Sequence, residues 1–144
     1  MHRVEIRPLF ADVDAMNVVY YGQYLRFFEL GRAELMRASG RAYREMAEQG
    51  LHLPVTEAQV RYRRPIFYDD LIVIETGLAW LKRASLRFEY RLLRAADGGQ
   101  EEEMASGHTV HGCVNLQGKV APLPAWVAQC LTPHLEPPQA PTGV

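Results

Sequence analysis

Residues 23–39 constrain the fold more than any other part of this 144-residue chain. Their apolar side chains recur at the i, i+3, i+4 and i+7 spacing of a helix face, which predicts one long and largely buried helix. The stripe consists of Tyr24, Phe27, Phe28, Gly31 and Leu35, and it is widened by Leu25, Leu30 and Met36. Ser39-Gly40 supplies the end of the helix, because glycine adopts the left-handed cap conformation without a side-chain penalty.

Strand patterns lie on both sides of this helix. Residues 4–7 alternate between apolar and charged side chains up to Pro8, which predicts a first strand. After Gly50, strand-like residues fill 51–68 (broken by Pro54 and Pro65), 71–80, 85–93 and 103–116, with reversals at 97–99 and 116–119. The strict alternation of 85–92 indicates an antiparallel sheet with one buried face. Short helices are predicted over 42–49 and 124–130.

The order of one strand, one apolar helix and several strands is typical of an α+β domain, because an alternating βαβ pattern is missing. With 48% hydrophobic and 23% charged residues, the chain has an ordinary globular composition and can bury one core. We expect a single domain over residues 1–131 and a Pro-rich C-terminal tail over 132–144. One sheet covers such a helix on one side only, so the remaining faces favour a homo-oligomer.

Composition and motifs exclude several function classes. A net charge of −1 argues against a nucleic-acid-binding protein, which needs an excess of Lys and Arg. No apolar run is long enough to span a membrane and no signal-peptide pattern is present, so we expect a cytoplasmic protein. His108 and His111 fall on opposite faces of a predicted strand, so no metal site is predicted. Cys113 and Cys130 stand alone in the sequence and are expected to be core thiols.

The densest chemical signal lies in residues 12–24, a polar turn between the first strand and the helix. A carboxylate beside a helix start sits next to free backbone N–H groups, so one small volume offers an anionic base or nucleophile together with a polarising donor. Asn17 suits a left-handed turn position, and Gly22 permits close approach of a ligand to the backbone. The alternative is that Asp12 and Asp14 are turn and cap residues only.

Residues 12–29 resemble the start of the central helix in hotdog-fold acyl-CoA thioesterases of the 4-hydroxybenzoyl-CoA thioesterase type. The family pattern is D-x-D-x-x-G-x-V-[YW]-[HY]-x-x-Y-x-x-[FW]-x-[ED], and the likeness extends over roughly residues 3–130. The resemblance implies an α+β hotdog fold, in which an antiparallel sheet wraps around one long central helix. It also implies a homodimer or homotetramer whose active site lies between subunits, with an acyl-CoA as the substrate. No cofactor is expected, because CoA is part of the substrate.

The same resemblance assigns roles within the motif. Asp14 falls on the catalytic carboxylate and Tyr21 on the residue whose backbone amide polarises the thioester, while Asp12 stays mainly structural. Two positions differ from what many relatives have. Asn17 replaces the family glycine, which is tolerable if Asn17 has a positive φ. Tyr21 stands where many relatives have histidine, so a mechanism that needs an imidazole at this position does not apply.

Lys82 and Arg83 lie between two predicted strands and form a candidate phosphate-binding rim. A CoA ester carries several phosphates, and a protein of net charge −1 needs a local positive surface to hold them. The family tends to place basic residues at this position, which favours substrate binding over an ordinary charged hairpin. Arg61, Arg63 and Arg64 are candidates for extending the rim.

The sequence therefore predicts an acyl-CoA thioesterase that releases a free acid and CoA. Asp14 acts either as the nucleophile or as the general base, and the sequence does not choose between them. The alternative function is a non-catalytic acyl-CoA or acyl-carrier binding or assembly module on the same fold. The nature of the acyl group stays open.

Overall fold

A computed structural model describes residues 1–40 and 43–137. The strands are β1 (His2–Ile6), β2 (Leu51–His52), β3 (Val55–Tyr62), β4 (Ile72–Leu81), β5 (Ser85–Ala95), β6 (Glu101–Gly112) and β7 (Val114–Asn115). The helices are α1 (Gln23–Ala38), α2 (Tyr43–Glu48) and α3 (Ala125–Leu131), and short 3-10 turns occupy Phe10–Asp12, Asp97–Gly99 and Thr132–His134. Within these residues, no helix is long and apolar enough to cross a membrane.

Five strands form one antiparallel sheet in the order β1-β4-β5-β6-β3, and β2 pairs with β7 in a separate two-stranded sheet. The α+β class predicted from the sequence is confirmed. The predicted reversal at 97–99 connects β5 to β6, and Gly98 has a positive φ of 86° there, which a residue without a side chain adopts at no steric cost. The sheet ends at β1 on one side and at β3 on the other.

Helix α1 packs its apolar stripe against one face of this sheet. The contact with β4 is closest at Gly31, where an added Cβ would meet the Thr76 hydroxyl and lie 2.7 Å from Ile74 Cγ2. Further along the stripe, Phe28 stacks on Tyr90 with ring centroids 4.2 Å apart. The predicted helix bounds are confirmed to within one residue at the C-terminal end, where Ser39 is the cap and Gly40 has a φ of +104°.

The prediction that Leu25 belongs to the buried stripe is wrong, because this side chain is 42% exposed. Leu25 lies on the flank of α1 that also carries Glu29 and Arg32, one and two turns further on. Apart from the half-buried Val60, every residue of the neighbouring edge strand β3 is exposed. A long flank of α1 and the adjoining strand are thus left open.

Prolines limit the strands more sharply than predicted. The run 51–68 contains the short β2 and then β3, which ends at Tyr62 before Pro65; beyond it, Phe67 forms only an isolated bridge with Val18. The run 103–116 contains no proline, yet it is interrupted at Cys113 between β6 and β7. A proline has no backbone N–H to donate, so it cannot continue a strand that is paired on that side.

The chain continues to pack beyond residue 131. Leu135 forms a parallel bridge with Leu78, and the Glu136 N–H donates to the Leu78 carbonyl at 2.8 Å. The Glu136 carboxylate lies 3.2 Å from the N-terminal ammonium group of Met1. Ala42 of the predicted helix 42–49, and residues 138–144 of the predicted tail, lie outside the described residues. The domain boundary after residue 131 stays a prediction.

Candidate active site

The loop before α1 is a small hairpin. Val13 bridges Val19, the Asp14 N–H donates to the Val18 carbonyl at 2.9 Å, and the Asn17 N–H donates to the Asp14 carbonyl at 3.0 Å. Asn17 has a φ of +64°, the left-handed conformation expected at this position. The Val19 N–H donates to the Ile66 carbonyl at 2.8 Å, which attaches the hairpin to the segment between β3 and β4.

Both carboxylate oxygens of Asp12 are bonded within the fold. Its side chain is buried, its Oδ2 accepts the Leu9 N–H at 2.8 Å, and its Oδ1 forms an ion pair with Arg26 of α1. Its backbone carbonyl accepts the Tyr20 N–H at 2.9 Å. Asp12 therefore ties both ends of the hairpin to α1, in the structural role expected for it.

Asp14 is held by one carboxylate oxygen only. Its Oδ1 accepts the N–H groups of Met16 at 2.8 Å and Val18 at 3.4 Å, which fixes the side chain within the hairpin. Its Oδ2 has no hydrogen bond to any residue in the described ranges, and the side chain is half-buried. A fixed carboxylate with one free oxygen has the geometry that a nucleophile or general base requires.

Tyr21 and Gly22 form the last turn before α1, and both are exposed. The Tyr62 hydroxyl of β3 donates to the Tyr21 carbonyl at 2.8 Å, and the Tyr62 ring packs edge-on against Tyr24. Among the hydrogen bonds of residues 1–40 and 43–137, the N–H groups of Tyr21 and Gly22 have no acceptor. They are free donors at the positive end of the α1 dipole.

The sequence alone does not identify Tyr62 as a contact of the Tyr21 backbone. This residue clamps the Tyr21 backbone to the edge strand, although 41 positions separate the two residues in the chain. The alternation of β3 places Tyr62 on the helix side of the sheet, but no sequence signal identifies its partner.

Gly22 has an ordinary helical φ of −68°, and an added Cβ would lie 3.2 Å from the Tyr20 ring. Its predicted role in ligand approach stays a prediction.

Lys82 and Arg83 form the exposed turn between β4 and β5, where the Lys82 ammonium lies 4.5 Å from the centre of the Trp80 ring. The Asp14 hairpin adjoins the opposite end of the sheet, where Ile6 of β1 pairs with Ile72 of β4. At about 3.3 Å per residue, roughly 33 Å of strand separates Ile72 from Lys82. One chain therefore does not bring this basic turn to Asp14.

The proposed extension of the basic rim by Arg61, Arg63 and Arg64 stays a prediction. Arg63 pairs with Glu103 and Arg64 with Glu102, each at 2.7 Å, which neutralises both guanidinium groups. Arg61 and Arg63 line a cavity of about 510 Å³ on the sheet face opposite α1. The strand side chains on that face are mostly paired Arg and Glu residues.

A second cavity, of about 190 Å³, lies under the C-terminal half of α1. Its lining includes Glu29, Arg32, Tyr43, Leu53, Phe88 and His111. His111 is buried. Burial lowers the pKa of His111, so its imidazole is neutral at pH 7. No local pattern around His111 indicates that this residue borders a cavity.

The chain is related to known thioesterases. Residues 8–131 match the model of the thioesterase-like superfamily. Acyl-CoA thioesterase YbgC of Haemophilus influenzae is 35% identical over 120 residues, covering 82% of this chain and 83% of that protein. A 1,4-dihydroxy-2-naphthoyl-CoA hydrolase of Thermosynechococcus vestitus is 31% identical over 124 residues, covering 82% of each protein.

The fold comparison agrees with these relatives. The crystal structure of protein AQ1494 from Aquifex aeolicus is 29% identical, covers 91% of this chain and 99% of that chain, and superposes with a TM-score of 0.84. The family expected from the motif around Asp14 is thus confirmed by sequence and by fold. This chain belongs to the thioesterase-like superfamily.

Proposed function

We propose that this protein is an acyl-CoA thioesterase that hydrolyses an acyl-CoA to the free acid and CoA. The observation that carries the proposal is the Asp14 carboxylate, which is fixed through Oδ1, free at Oδ2, and set in the same small hairpin region as the free N–H of Tyr21. The name of the Haemophilus influenzae relative, an acyl-CoA thioesterase, supports the same activity.

The reaction has two possible routes from this geometry. In one, Asp14 Oδ2 attacks the thioester carbonyl carbon, the CoA thiolate leaves, and water hydrolyses the resulting anhydride. In the other, Asp14 removes a proton from a water molecule that attacks the same carbon, and that proton passes to the departing thiolate. In both routes, the Tyr21 N–H and the α1 dipole stabilise the negative charge that develops on the carbonyl oxygen.

The second part of the proposal is assembly. Strand β3 is an edge strand that exposes both faces, and it lies beside the open flank of α1. Exposed edge strands pair readily with another chain. We infer a homodimer in which two β3 strands pair antiparallel about a two-fold axis, alone or within a homotetramer. In this arrangement, α1 is the central helix of a hotdog fold, enclosed by the sheet and the second subunit.

Antiparallel pairing would also explain the separation of the site residues within one chain. Tyr62, which holds the Tyr21 backbone, comes to lie opposite the start of the partner's β3. That end of the partner's sheet carries the turn between β4 and β5. The partner's Lys82 and the partner's Arg83 would then approach Asp14 and hold the phosphates of CoA. The cytoplasmic location and the lack of a cofactor stay predictions from the sequence.

Replacement of Asp14 by Asn tests the proposed chemistry. We expect kcat for thiol release to fall about 10²-fold or more, with CoA affinity within a few-fold of wild type, because the amide neither attacks nor accepts the proton. Asp97→Asn, in the turn between β5 and β6, is the matched control and is expected to keep wild-type kcat. An unchanged kcat in Asp14→Asn removes Asp14 from the mechanism. Acyl-CoA binding without thiol release in the wild type indicates a binding module instead.

A further inference from the structure

The turn that precedes α1 is held by a side chain from the edge strand β3. Tyr62 is the last residue of that strand, where it pairs with Ala105 of β6. Its ring lies edge-on against the buried Tyr24 ring of α1, with the ring centroids 4.7 Å apart and the planes at 86°. From this position the Tyr62 hydroxyl donates to the Tyr21 carbonyl oxygen at 2.8 Å. A ring fixed between strand and helix therefore carries its hydroxyl to the backbone of the turn.

The backbone alone holds this turn weakly at Tyr21. The Tyr20 carbonyl accepts the Gln23 N–H at 2.9 Å, an ordinary hydrogen bond. The Tyr24 N–H, by contrast, lies 3.4 Å from the Tyr21 carbonyl oxygen, which is longer than the roughly 2.7–3.2 Å of ordinary N–H···O bonds. Tyr21 and Gly22 are both exposed, so burial does not fix them either. The Tyr62 hydroxyl is therefore the nearer of the two donors that fix the Tyr21 carbonyl.

The Tyr21 carbonyl and the Gly22 N–H belong to one peptide group. Because this group is planar and trans, its C=O and its N–H point in opposite directions. A hydrogen bond to the carbonyl therefore also sets the direction of the N–H, which points away from the Tyr62 hydroxyl. The same bond polarises the peptide group and makes its N–H a stronger donor. Tyr62 thus acts on a donor of the turn through the carbonyl of the same peptide group.

Oriented donors matter for the proposed reaction. When the thioester carbonyl is attacked, negative charge grows on its oxygen, and donors that are already in place stabilise this charge without reorganisation. The N–H groups of Tyr21 and Gly22, which have no acceptor within the described residues, lie in the same hairpin region as Asp14. A turn held only by the 3.4 Å contact with the Tyr24 N–H would orient these donors less precisely.

We propose that Tyr62 is a positioning residue for thioester hydrolysis. Its hydroxyl holds the turn at Tyr21 and Gly22, so that the N–H groups of this turn are oriented before the negative charge develops. The inference rests on the proposed thioesterase activity. It requires that the hydroxyl contributes to kcat, whereas a purely structural role would change the stability of the fold or both kinetic constants.

Tyr62→Phe tests this role, because it removes the hydroxyl and keeps the ring against Tyr24. Thiol release is measured with the best substrate of a screen over short, medium, long and aromatic acyl-CoAs. We expect kcat to fall about tenfold with KM within about twofold of wild type, because a misaligned donor costs less than the roughly 10²- to 10³-fold loss of a whole donor. The Tm should stay within about 5 °C of wild type, since one hydrogen bond of a half-exposed residue is lost.

Tyr68→Phe is the matched control. Tyr68 is also exposed and also packs against an aromatic ring, that of Phe10, with the centroids 4.2 Å apart. Its hydroxyl has no hydrogen-bond partner among residues 1–40 and 43–137, so this variant should keep the wild-type kcat and KM. A thioether analogue of the substrate, which has no carbonyl oxygen, is the second control. Its Kd should be the same for Tyr62→Phe and for wild type.

The outcomes separate this inference from the proposed function. A wild-type kcat in Tyr62→Phe, or an equal loss of kcat in Tyr68→Phe, overturns the positioning role and leaves the thioesterase activity standing. A lower kcat that comes with a raised KM, weaker binding of the thioether or a Tm more than about 5 °C below wild type makes Tyr62 a structural residue and also overturns the inference. If the wild type releases no thiol from any acyl-CoA, the proposed function fails and the inference fails with it.

Discussion

Asp12 and Asp14 lie two positions apart in the sequence, yet their carboxylates have different surroundings. Asp12 is buried, paired with Arg26, and bonded to the Leu9 backbone, so it has no free oxygen for chemistry. Asp14 keeps one oxygen free. The motif in the sequence predicts this division through the family resemblance. The Arg26 ion pair was not predictable, because it depends on how the first turn of α1 faces the hairpin.

His111 gives a residue-level prediction about pH. Burial lowers its pKa below the ordinary value of about 6.5, so between that value and the lower folded pKa the unfolded chain binds the proton and the folded chain does not. The free energy of unfolding should therefore fall as pH drops from 7 towards 5, by up to about 1.4 kcal/mol per pH unit. Urea unfolding at several pH values measures this slope.

Substitutions isolate the contribution of His111 to that slope. His111→Gln should unfold more easily at pH 7 and show a smaller dependence on pH than wild type. His52→Gln, at an exposed position, is the control and should keep the wild-type slope. If His111→Gln and wild type lose stability with falling pH at the same rate, the buried neutral imidazole is not the cause.

At the level of elements, α1 is the part of the fold that the sequence predicts best. Its periodicity and the Ser39-Gly40 stop define the helix with almost no error, because both signals are local. The exposure of Leu25 is not predicted correctly, because it depends on how far the distant strand β3 extends over the helix. Periodicity also cannot reveal that Gly31 marks the closest approach of helix and sheet.

Gly31→Ala tests this close approach. Alanine favours a helix by about 1 kcal/mol over glycine, but its methyl group would collide with Thr76 and lie 2.7 Å from Ile74 Cγ2. Overpacking of this kind costs about 1–3 kcal/mol, so we expect a net loss of stability and a lower Tm in thermal unfolding. Gly112→Ala, whose Cβ would lie 3.7 Å from Thr56 Cγ2, is the control and should change Tm little. A higher Tm for Gly31→Ala contradicts the packing described for α1.

At the scale of the whole molecule, the residues of the proposed site lie at the two ends of the sheet. Asp14 adjoins the end where β1 meets β4, and Lys82 and Arg83 form the turn at the other end. The sequence predicts each part and an oligomer, but not their separation, because the distance depends on strand direction in the folded sheet. The exposed edge of β3 offers the physical means of joining the two ends in a dimer.

Loss of Lys82 and Arg83 should affect substrate binding rather than chemistry. These side chains would contact the phosphates of CoA and bind substrate and transition state about equally, so replacing both with Ala should raise KM and leave kcat unchanged. At about 1 kcal/mol for each exposed charge, the rise is about 10- to 30-fold, and it should shrink as salt increases. A small thioester without a nucleotide is the control and should react with the variant as with wild type. If the variant is equally impaired on both substrates, Lys82 and Arg83 do not bind the CoA phosphates and form an ordinary charged hairpin.

A mixed dimer tests the central claim, that each active site combines Asp14 of one subunit with Lys82 and Arg83 of the other. Chains carrying Asp14→Asn and chains carrying Lys82→Ala with Arg83→Ala are co-expressed with different affinity tags, and the mixed species is purified. One of its two sites then retains all three side chains. Steady-state kinetics should give about half the wild-type kcat with the wild-type KM. A mixed dimer whose KM is as high as that of the Lys82→Ala and Arg83→Ala protein would show that both parts come from the same chain.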